Sequence, residues 1–214
     1  NFKIRGLNLG FNTEENEEIV KGNRNFLANS ISTPISDIAF ADQVHGNEII
    51  EVQKGGIYEH IDGFITTKKG LALAIQVADC AAVLFADSKA AVISAVHAGW
   101  RGAEADIVPK AIQKMVSLNA DPKDIKVFIS PCISQKQFEV GDEVAEKFPD
   151  DFVDRSSYSK PHIDIKKFIE FQLLRAGILE ENIEIHGSCT FSDSEFFSYR
   201  RDGKRSGRMM GIIK

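Results

Sequence analysis

The most apolar part of the chain lies between residues 71 and 97 and predicts three buried strands. Its sequence, LALAIQVADCAAVLFADSKAAVISAVH, contains three β-prone runs that are separated by Asp79-Cys80 and by Asp87-Ser88-Lys89. Strands that are apolar on both faces are normally covered by other layers of the fold. Alternating or short apolar runs predict further strands within 35–52 and at 125–129, 183–185 and 209–213.

Helical patterns are scattered between these strand-like segments. A capping box from Asn12 to Glu15 predicts a polar helix that extends towards Ala28. Apolar spacing and punctuation predict further helices near 103–118, 142–148 and 163–176. Because helices and strands do not alternate regularly, we expect an α+β fold in which layered mixed β-sheets are flanked by helices.

Composition and charge narrow the class of protein. The chain has 214 residues, is 43% hydrophobic and carries a net charge of −5, which is typical of a folded domain and argues against a nucleic-acid partner. No run reaches the roughly 18 apolar residues of a membrane span, and the first residues lack a signal-peptide core. Three cysteines cannot form a disulfide framework. We therefore expect a cytoplasmic protein with a single domain over residues 1–214.

Three chemically versatile residues stand at the ends of apolar runs. They are His45 in QVHGN, Cys80 in VADCA and His97 in VHAGWRG. A buried strand that ends in such a residue places it at the rim of a sheet, where pockets form. Two histidines and one cysteine supply three zinc ligands and leave one position open, as in catalytic zinc sites. Their spacing matches no local zinc motif, so a buried cysteine near two unrelated histidines remains the alternative.

Several motifs, in order along the chain, resemble those of the YfiH family. They are QVHGNEI (43–49), QVADCAAVLFAD (76–87), HAGWRG (97–102), SPCISQKQFEVG (130–141) and FFSYRRDGKRSGRMM (196–210). LNLG (7–10) and Asn23-Arg24 are similar to the family's early motif and first helix. Members of this family have been labelled multicopper polyphenol oxidase or laccase-domain proteins, and have also been described as zinc-dependent purine nucleoside enzymes.

The resemblance implies a fold, an activity and a ligand set. The fold would be a layered α+β arrangement shared with deamidase toxins of the cytotoxic necrotizing factor type. The substrates would be adenosine, inosine, guanosine and methylthioadenosine, cleaved with phosphate, and adenosine would also be deaminated. The zinc ligands would be His45, Cys80 and His97, with Cys80 and His97 also counted as catalytic. The partners would be purine nucleosides and phosphate. Independently of the resemblance, we expect a monomer or homodimer.

Four neighbouring residues are candidates for further roles. Arg101 can hold phosphate through a bidentate fork, or else pair with Glu104. Trp100 can stack on a purine or pack in the core. Gln43 can bind substrate or satisfy backbone groups. Asp79 can orient a ligand histidine or donate a proton, or else cap a turn.

Two other functions and one other metal are open at this point. Cys80 can be the nucleophile of a cysteine hydrolase or deamidase with His97 as its base, or the ligands can belong to a non-enzymatic metal-binding module. A blue-copper centre would use two His and one Cys. That leaves only His60, His162 and His186, which lie outside the motifs, for the multinuclear cluster of a laccase. We therefore expect zinc rather than copper.

Overall fold

Two β-sheets packed face to face form the centre of the fold in the computed structural model, which describes residues 4–214. The strands are, in chain order, β1 (Ile38–Asp42), β2 (Ile49–Glu51), β3 (Gly56–Glu59), β4 (Gly63–Thr66), β5 (Ala72–Val77), β6 (Ala81–Asp87), β7 (Val92–Ala98), β8 (Lys126–Ile129), β9 (Val153–Asp154), β10 (His162–Ile163), β11 (Ile183–Ile185) and β12 (Met209–Ile213). One sheet has the order β12-β5-β1-β3 and the other has the order β11-β8-β6-β7-β4-β2, while β9 and β10 form a separate pair.

Both large sheets are mixed, and the apolar runs of the sequence form their central strands. In the smaller sheet β1 is parallel to β3 and β5, and β12 is antiparallel to β5. In the larger sheet β6, β7 and β8 pair antiparallel, whereas the outer pairs β2–β4 and β8–β11 are parallel. The predicted strands at 183–185 and 209–213 are confirmed at those bounds. The short strands β3, β4, β9 and β10 were not predicted.

Helices cover the outer faces of both sheets. They are α1 (Glu17–Ser30), α2 (Trp100–Glu104), α3 (Ile107–Ser117), α4 (Asp142–Ala145), α5 (Ile165–Arg175) and α6 (Tyr199–Asp202). One core cluster joins the larger sheet to α3 and α5, a second fills the space between the sheets, and a third joins the smaller sheet to α1. The predicted α+β class is confirmed. The single domain stays a prediction, which the shared core between the sheets supports.

The first helix begins later than the capping box predicts. Asn16, not Asn12, is the N-cap, and its side chain accepts a hydrogen bond from the Glu18 N–H. Glu15 is buried instead, where its carboxylate accepts hydrogen bonds from the Ile4 N–H and the Asn8 amide. These tertiary contacts hold residues 12–15 outside the helix.

The chain crosses between the two sheets twice on the side where the site forms. Residues 43–48 lead from β1 in the smaller sheet to β2 in the larger one, and residues 78–80 lead from β5 to β6 in the same sense. Both crossings carry residues that the sequence singles out. No helix in the described part of the chain is long and apolar enough to cross a bilayer.

Candidate metal centre and its cavity

His45, Cys80 and His97 meet where the two crossings approach the end of β7. One ligand atom from each side chain, two ring nitrogens and one sulfur, lies within 4.8 Å of the others. His97 is buried, Cys80 is half-buried and His45 is exposed. The structure therefore brings together three residues that are 35 and 17 positions apart in the sequence.

The backbone at both crossings takes a conformation that most residues avoid. His45 has a φ of 61° and Asp79, beside Cys80, has a φ of 91°. Residues other than glycine rarely adopt positive φ, and such strain tends to accumulate at functional sites. The surrounding contacts must therefore hold these turns in place.

Asp62, immediately before β4, provides those contacts for the turn at His45. Its carboxylate is fully buried and accepts hydrogen bonds from the backbone N–H groups of residues 44, 45 and 46 at 3.2, 3.0 and 2.6 Å. The same carboxylate accepts a hydrogen bond from His97 Nδ1 at 2.8 Å. This bond leaves Nε2 of His97 free to face the other ligands, as in carboxylate–histidine–metal arrangements. Asp62 thus fixes His45 through the loop that carries it and His97 through its ring.

The Cys80 thiol and the His97 imidazole shift each other's pKa. Burial alone would raise the pKa of Cys80, but the charge of His97 and hydrogen bonds from both histidines lower it to about 6. Burial would lower the pKa of His97, but the Cys80 thiolate and the bond to Asp62 raise it to about 9. The sulfur is therefore held as a thiolate near neutral pH, which is the form that both binds metals and acts as a nucleophile.

Space and donor chemistry fit a zinc ion. A Cβ atom on Gly99 would lie 2.9 Å from Cys80 Sγ and 3.7 Å from both histidine rings, so this glycine keeps the space between the ligands open. One thiolate and two imidazoles suit Zn²⁺ or copper and not Mg²⁺ or Ca²⁺. Within residues 4–214 no second group of three potential metal ligands is present.

A cavity of about 880 Å³ opens beside the three ligands. Each of the other predicted site residues, Gln43, Asp79, Trp100 and Arg101, contributes to its wall. A cavity of this size is ample for a nucleoside and a small anion together.

Gln43 and Asp79 already have protein partners. The Gln43 side chain donates to the Gln76 carbonyl at 2.9 Å and accepts from the Gln76 N–H at 2.7 Å. Asp79 accepts from the Thr190 hydroxyl at 2.7 Å and from the Arg200 N–H at 2.6 Å. Both side chains therefore shape the cavity wall, and their direct roles towards a substrate stay predictions.

Trp100 and Arg101 form one unit at the start of α2. Trp100 is half-buried and packs against the core, and the Arg101 guanidinium lies 4.3 Å from the centre of its ring system. Arg101 is exposed and forms no ion pair with Glu104 or any other described acid. It is therefore available to a ligand, although its exposure leaves it well hydrated.

The other two thiols lie outside the metal centre. Cys132 is fully buried in the core and does not line the cavity. It pairs as an isolated parallel β-bridge with Cys189. Burial would raise the pKa of Cys189, but hydrogen bonds from Ser134 and Ser192 lower it to about 7.

Two residues of the site, Asp62 and Arg24, were missed from the sequence, while Arg208 belongs to a basic tail whose similarity to a family motif suggested binding of phosphate or of a partner subunit. Asp62 looks like a turn residue before a glycine, and only the strand pairing brings it to His97. Arg24 and Arg208 line the cavity, although an arginine on a polar helix or in a basic tail normally faces solvent. The one available signal was their position in or beside motifs of the family.

Known proteins resemble this chain over almost its whole length. A protein of Corynebacterium glutamicum named purine nucleoside phosphorylase is 35% identical, across 97% of this chain and 86% of the relative. The Bacillus subtilis protein YlmD, with the same functional name, is 30% identical across 98% of this chain and 82% of its own. An enzymatic role is thereby supported.

Solved structures share the fold. The Bacillus licheniformis hypothetical protein YfiH matches with a TM-score of 0.93 and 29% identity, covering 98% of this chain and 85% of the other. YlmD from Geobacillus stearothermophilus matches with a TM-score of 0.91, 29% identity and coverage of 97% and 84%. Residues 2–214 match the family described as multi-copper polyphenol oxidoreductase laccase. The chain belongs to this laccase-domain family, to which the YfiH-type motifs of its sequence pointed.

Proposed function

We propose that the protein is a zinc-dependent purine nucleoside phosphorylase that also deaminates adenosine. The observation that carries the proposal is the convergence of His45, Cys80 and His97 beside a cavity large enough for a nucleoside and phosphate. Relatives named purine nucleoside phosphorylase support this class of substrate. The proposed substrates are adenosine, inosine, guanosine and methylthioadenosine, each cleaved to the free base and a sugar 1-phosphate.

The side chains divide the work of binding and orientation. His45, Cys80 and His97 hold the metal, and Asp62 fixes the direction of the His97 ring. A bound zinc ion would supply Lewis-acid chemistry to an oxygen of the substrate or of water. Trp100 offers an aromatic face to the purine, and Arg101 beside it offers a forked donor to an anion. Asp79 holds the turn that presents Cys80.

The arrangement of the histidines supports zinc over a multinuclear copper cluster. His162 forms no hydrogen bond with another histidine. Its Nδ1 lies 2.8 Å from the Gln135 carbonyl oxygen, and its ring stacks on Tyr158. His60 and His186 belong to no group of three ligands among residues 4–214. A single three-ligand centre with one open position is the pattern of catalytic zinc.

The direct test is a product assay with and without phosphate. Inosine should give hypoxanthine and ribose 1-phosphate only when phosphate is present, and adenosine should yield some inosine in its absence. Cys80→Ala should abolish both reactions, while Cys189→Ala, the matched loss of a thiol outside the centre, should keep them. Equal losses in the two variants would place the centre elsewhere.

One observation favours a second candidate, a cysteine hydrolase or deamidase. Cys80, His97 and Asp62 form a chain in which a thiolate contacts an imidazole whose other nitrogen is held by a carboxylate, the order found in cysteine nucleophile systems. This reaction requires no metal. Elemental analysis of protein purified without chelators separates the two: about one zinc per chain supports the phosphorylase, and turnover by metal-free protein supports the hydrolase.

Two further properties stay predictions. A cytoplasmic location rests on the three cysteines, which are unpaired within the described chain. A monomer or homodimer is expected, and light scattering would measure it.

A further inference from the structure

Residues 7–10, the LNLG motif, form a backbone segment that connects two arginines of the cavity wall, Arg24 and Arg208. We call this segment the LNLG platform. Arg24 Nε donates to the Leu9 carbonyl at 2.8 Å, and the Leu9 N–H donates to the Arg208 carbonyl at 3.0 Å. Asn8 accepts from the Arg208 N–H at 2.8 Å. A Cβ on Gly10 would lie 2.4 Å from Arg208 Cγ, so only glycine lets this side chain cross the platform. The motif therefore places one arginine from α1 and one from the segment before β12 at the same cavity.

Arg24 is a buried cation without an acidic partner. Only 6% of the residue is exposed, and its guanidinium lies 4.3 and 4.5 Å from the ring centres of Phe11 and Phe40. Burial lowers its pKa to about 10, so the group remains charged at neutral pH. Within residues 4–214 neither Nη atom has a hydrogen-bond partner. A buried charge is costly unless it is paired, and Arg24 lines the cavity, so an anion bound there can supply the partner.

Arg208 extends this positive region towards the metal centre. Its Nη1 donates to the carbonyls of Ser206 and Gly207 at 2.9 and 3.0 Å, which fixes the side chain. It forms no ion pair with a described residue, and burial lowers its pKa. Three acids line the same cavity, and none forms an ion pair with either arginine: Asp79 is bound by Thr190 and the Arg200 N–H, and Asp42 and Glu59 are exposed.

We infer that Arg24 and Arg208 form the inner binding site for inorganic phosphate, held ready by the LNLG platform. Guanidinium groups bind phosphate oxygens through parallel charge-assisted hydrogen bonds. Their desolvation makes each such bond stronger than one made at the surface. This inference rests on the proposed phosphorolysis and deepens it, because it moves the main phosphate contact from exposed Arg101 to buried Arg24 and half-buried Arg208. Arg101 then contributes at the entrance.

The test measures phosphate binding without any turnover. Inorganic phosphate is titrated into the protein as isolated, by calorimetry or phosphorus NMR, for wild type, Arg24→Met and Arg208→Met. Methionine keeps an apolar stem between the aromatic rings and removes the charge. The control is Arg175→Met, which removes another arginine that stacks on a phenylalanine, at 5.5 Å from Phe171, away from the cavity. Thermal unfolding checks that each variant is folded.

Each cavity variant should weaken phosphate binding by about ten-fold or more, the effect of losing one charge-assisted hydrogen bond, while the control is unchanged. If Arg24→Met does not fold, Arg208→Met, in a partly exposed segment, carries the test. Unchanged phosphate affinity in the folded cavity variants would overturn the inference. Phosphate binding that is lost only when a chelator removes the metal would also overturn it. Binding of adenosine 5′-monophosphate, but not of inorganic phosphate, would assign the site to phosphate esters and overturn it too.

The two proposals fail in different ways. Phosphate binding that is lost in both variants, in a protein that cleaves no nucleoside, would support the anion site and reject phosphorolysis. Phosphorolysis by the wild type, with phosphate affinity unaltered in both variants, would support phosphorolysis and reject the anion site.

Discussion

Replacing Asp62 with asparagine isolates what this buried carboxylate does for the metal centre. The side chain keeps its size but loses its charge and one acceptor oxygen. Four hydrogen bonds reach the carboxylate, three from the loop at residues 44–46 and one from His97. An amide group can satisfy about half of them, and each buried donor left without a partner costs about 1–3 kcal/mol.

We therefore expect the free energy of unfolding to fall by about 2–6 kcal/mol, for two unsatisfied donors. Zinc affinity should fall roughly 10–100-fold, the usual effect of removing a group that orients a metal ligand. Chelator competition measures the affinity, and denaturant unfolding of the metal-free protein measures the stability. Measuring the two separately is essential, because metal binding itself stabilises the folded state.

Asp87→Asn is the matched control. Asp87 is 2% exposed, and its carboxylate accepts three backbone hydrogen bonds from Lys89, Ala90 and Asp121, far along the sheet from the metal centre. It should lose stability and keep its zinc affinity. The reasoning is refuted if Asp62→Asn binds zinc as tightly as wild type, or if both variants lose the same affinity.

Three more predictions concern single positions. Gly99→Ala should lower zinc affinity, because the new Cβ would lie 2.9 Å from Cys80 Sγ. Gly22→Ala is the control, because its new Cβ would meet nothing within 4 Å and zinc should bind normally. Equal zinc affinities in the two variants would contradict this prediction. Alkylation of Cys189, measured by mass spectrometry, should accelerate as pH rises through about 7, because the thiolate is the reactive form. Cys132 should stay unmodified, because burial raises its pKa to about 12. Arg101→Ala should slow phosphorolysis more than deamination, and Arg101→Lys should restore it only in part; an equal loss in both reactions would make Arg101 structural.

The strands and the three residues of the candidate metal centre were largely predictable from the sequence, because their signals are local. Three apolar runs with polar breaks gave β5, β6 and β7 nearly to the residue, and His45, Cys80 and His97 attracted attention at the ends of such runs. Strand β3, GIYE, is short and mostly exposed, so it carries no clear alternation. The predicted helix near 103–118 is divided at Asp106, which has a φ of 60° that periodicity does not reveal.

The residues that support the site depend on contacts that are distant in sequence. Asp62 acts on His97 because β4 pairs with β7, and nothing near Asp62 in the sequence indicates that pairing. Arg24 looks like a solvated residue on a polar helix, and only the packing of α1 against the smaller sheet buries it. Candidate ligands can thus be recognised by residue type, whereas the groups that orient them require the fold.

Zinc titration of metal-depleted protein tests the central claim most directly. Formation of ribose 1-phosphate from inosine and phosphate is followed as zinc is added to wild type and to Cys80→Ala. Activity of the wild type should rise from near zero and saturate at about one zinc per chain, and the variant should not respond. Full turnover before any zinc is added would contradict the account and assign the reaction to the cysteine itself.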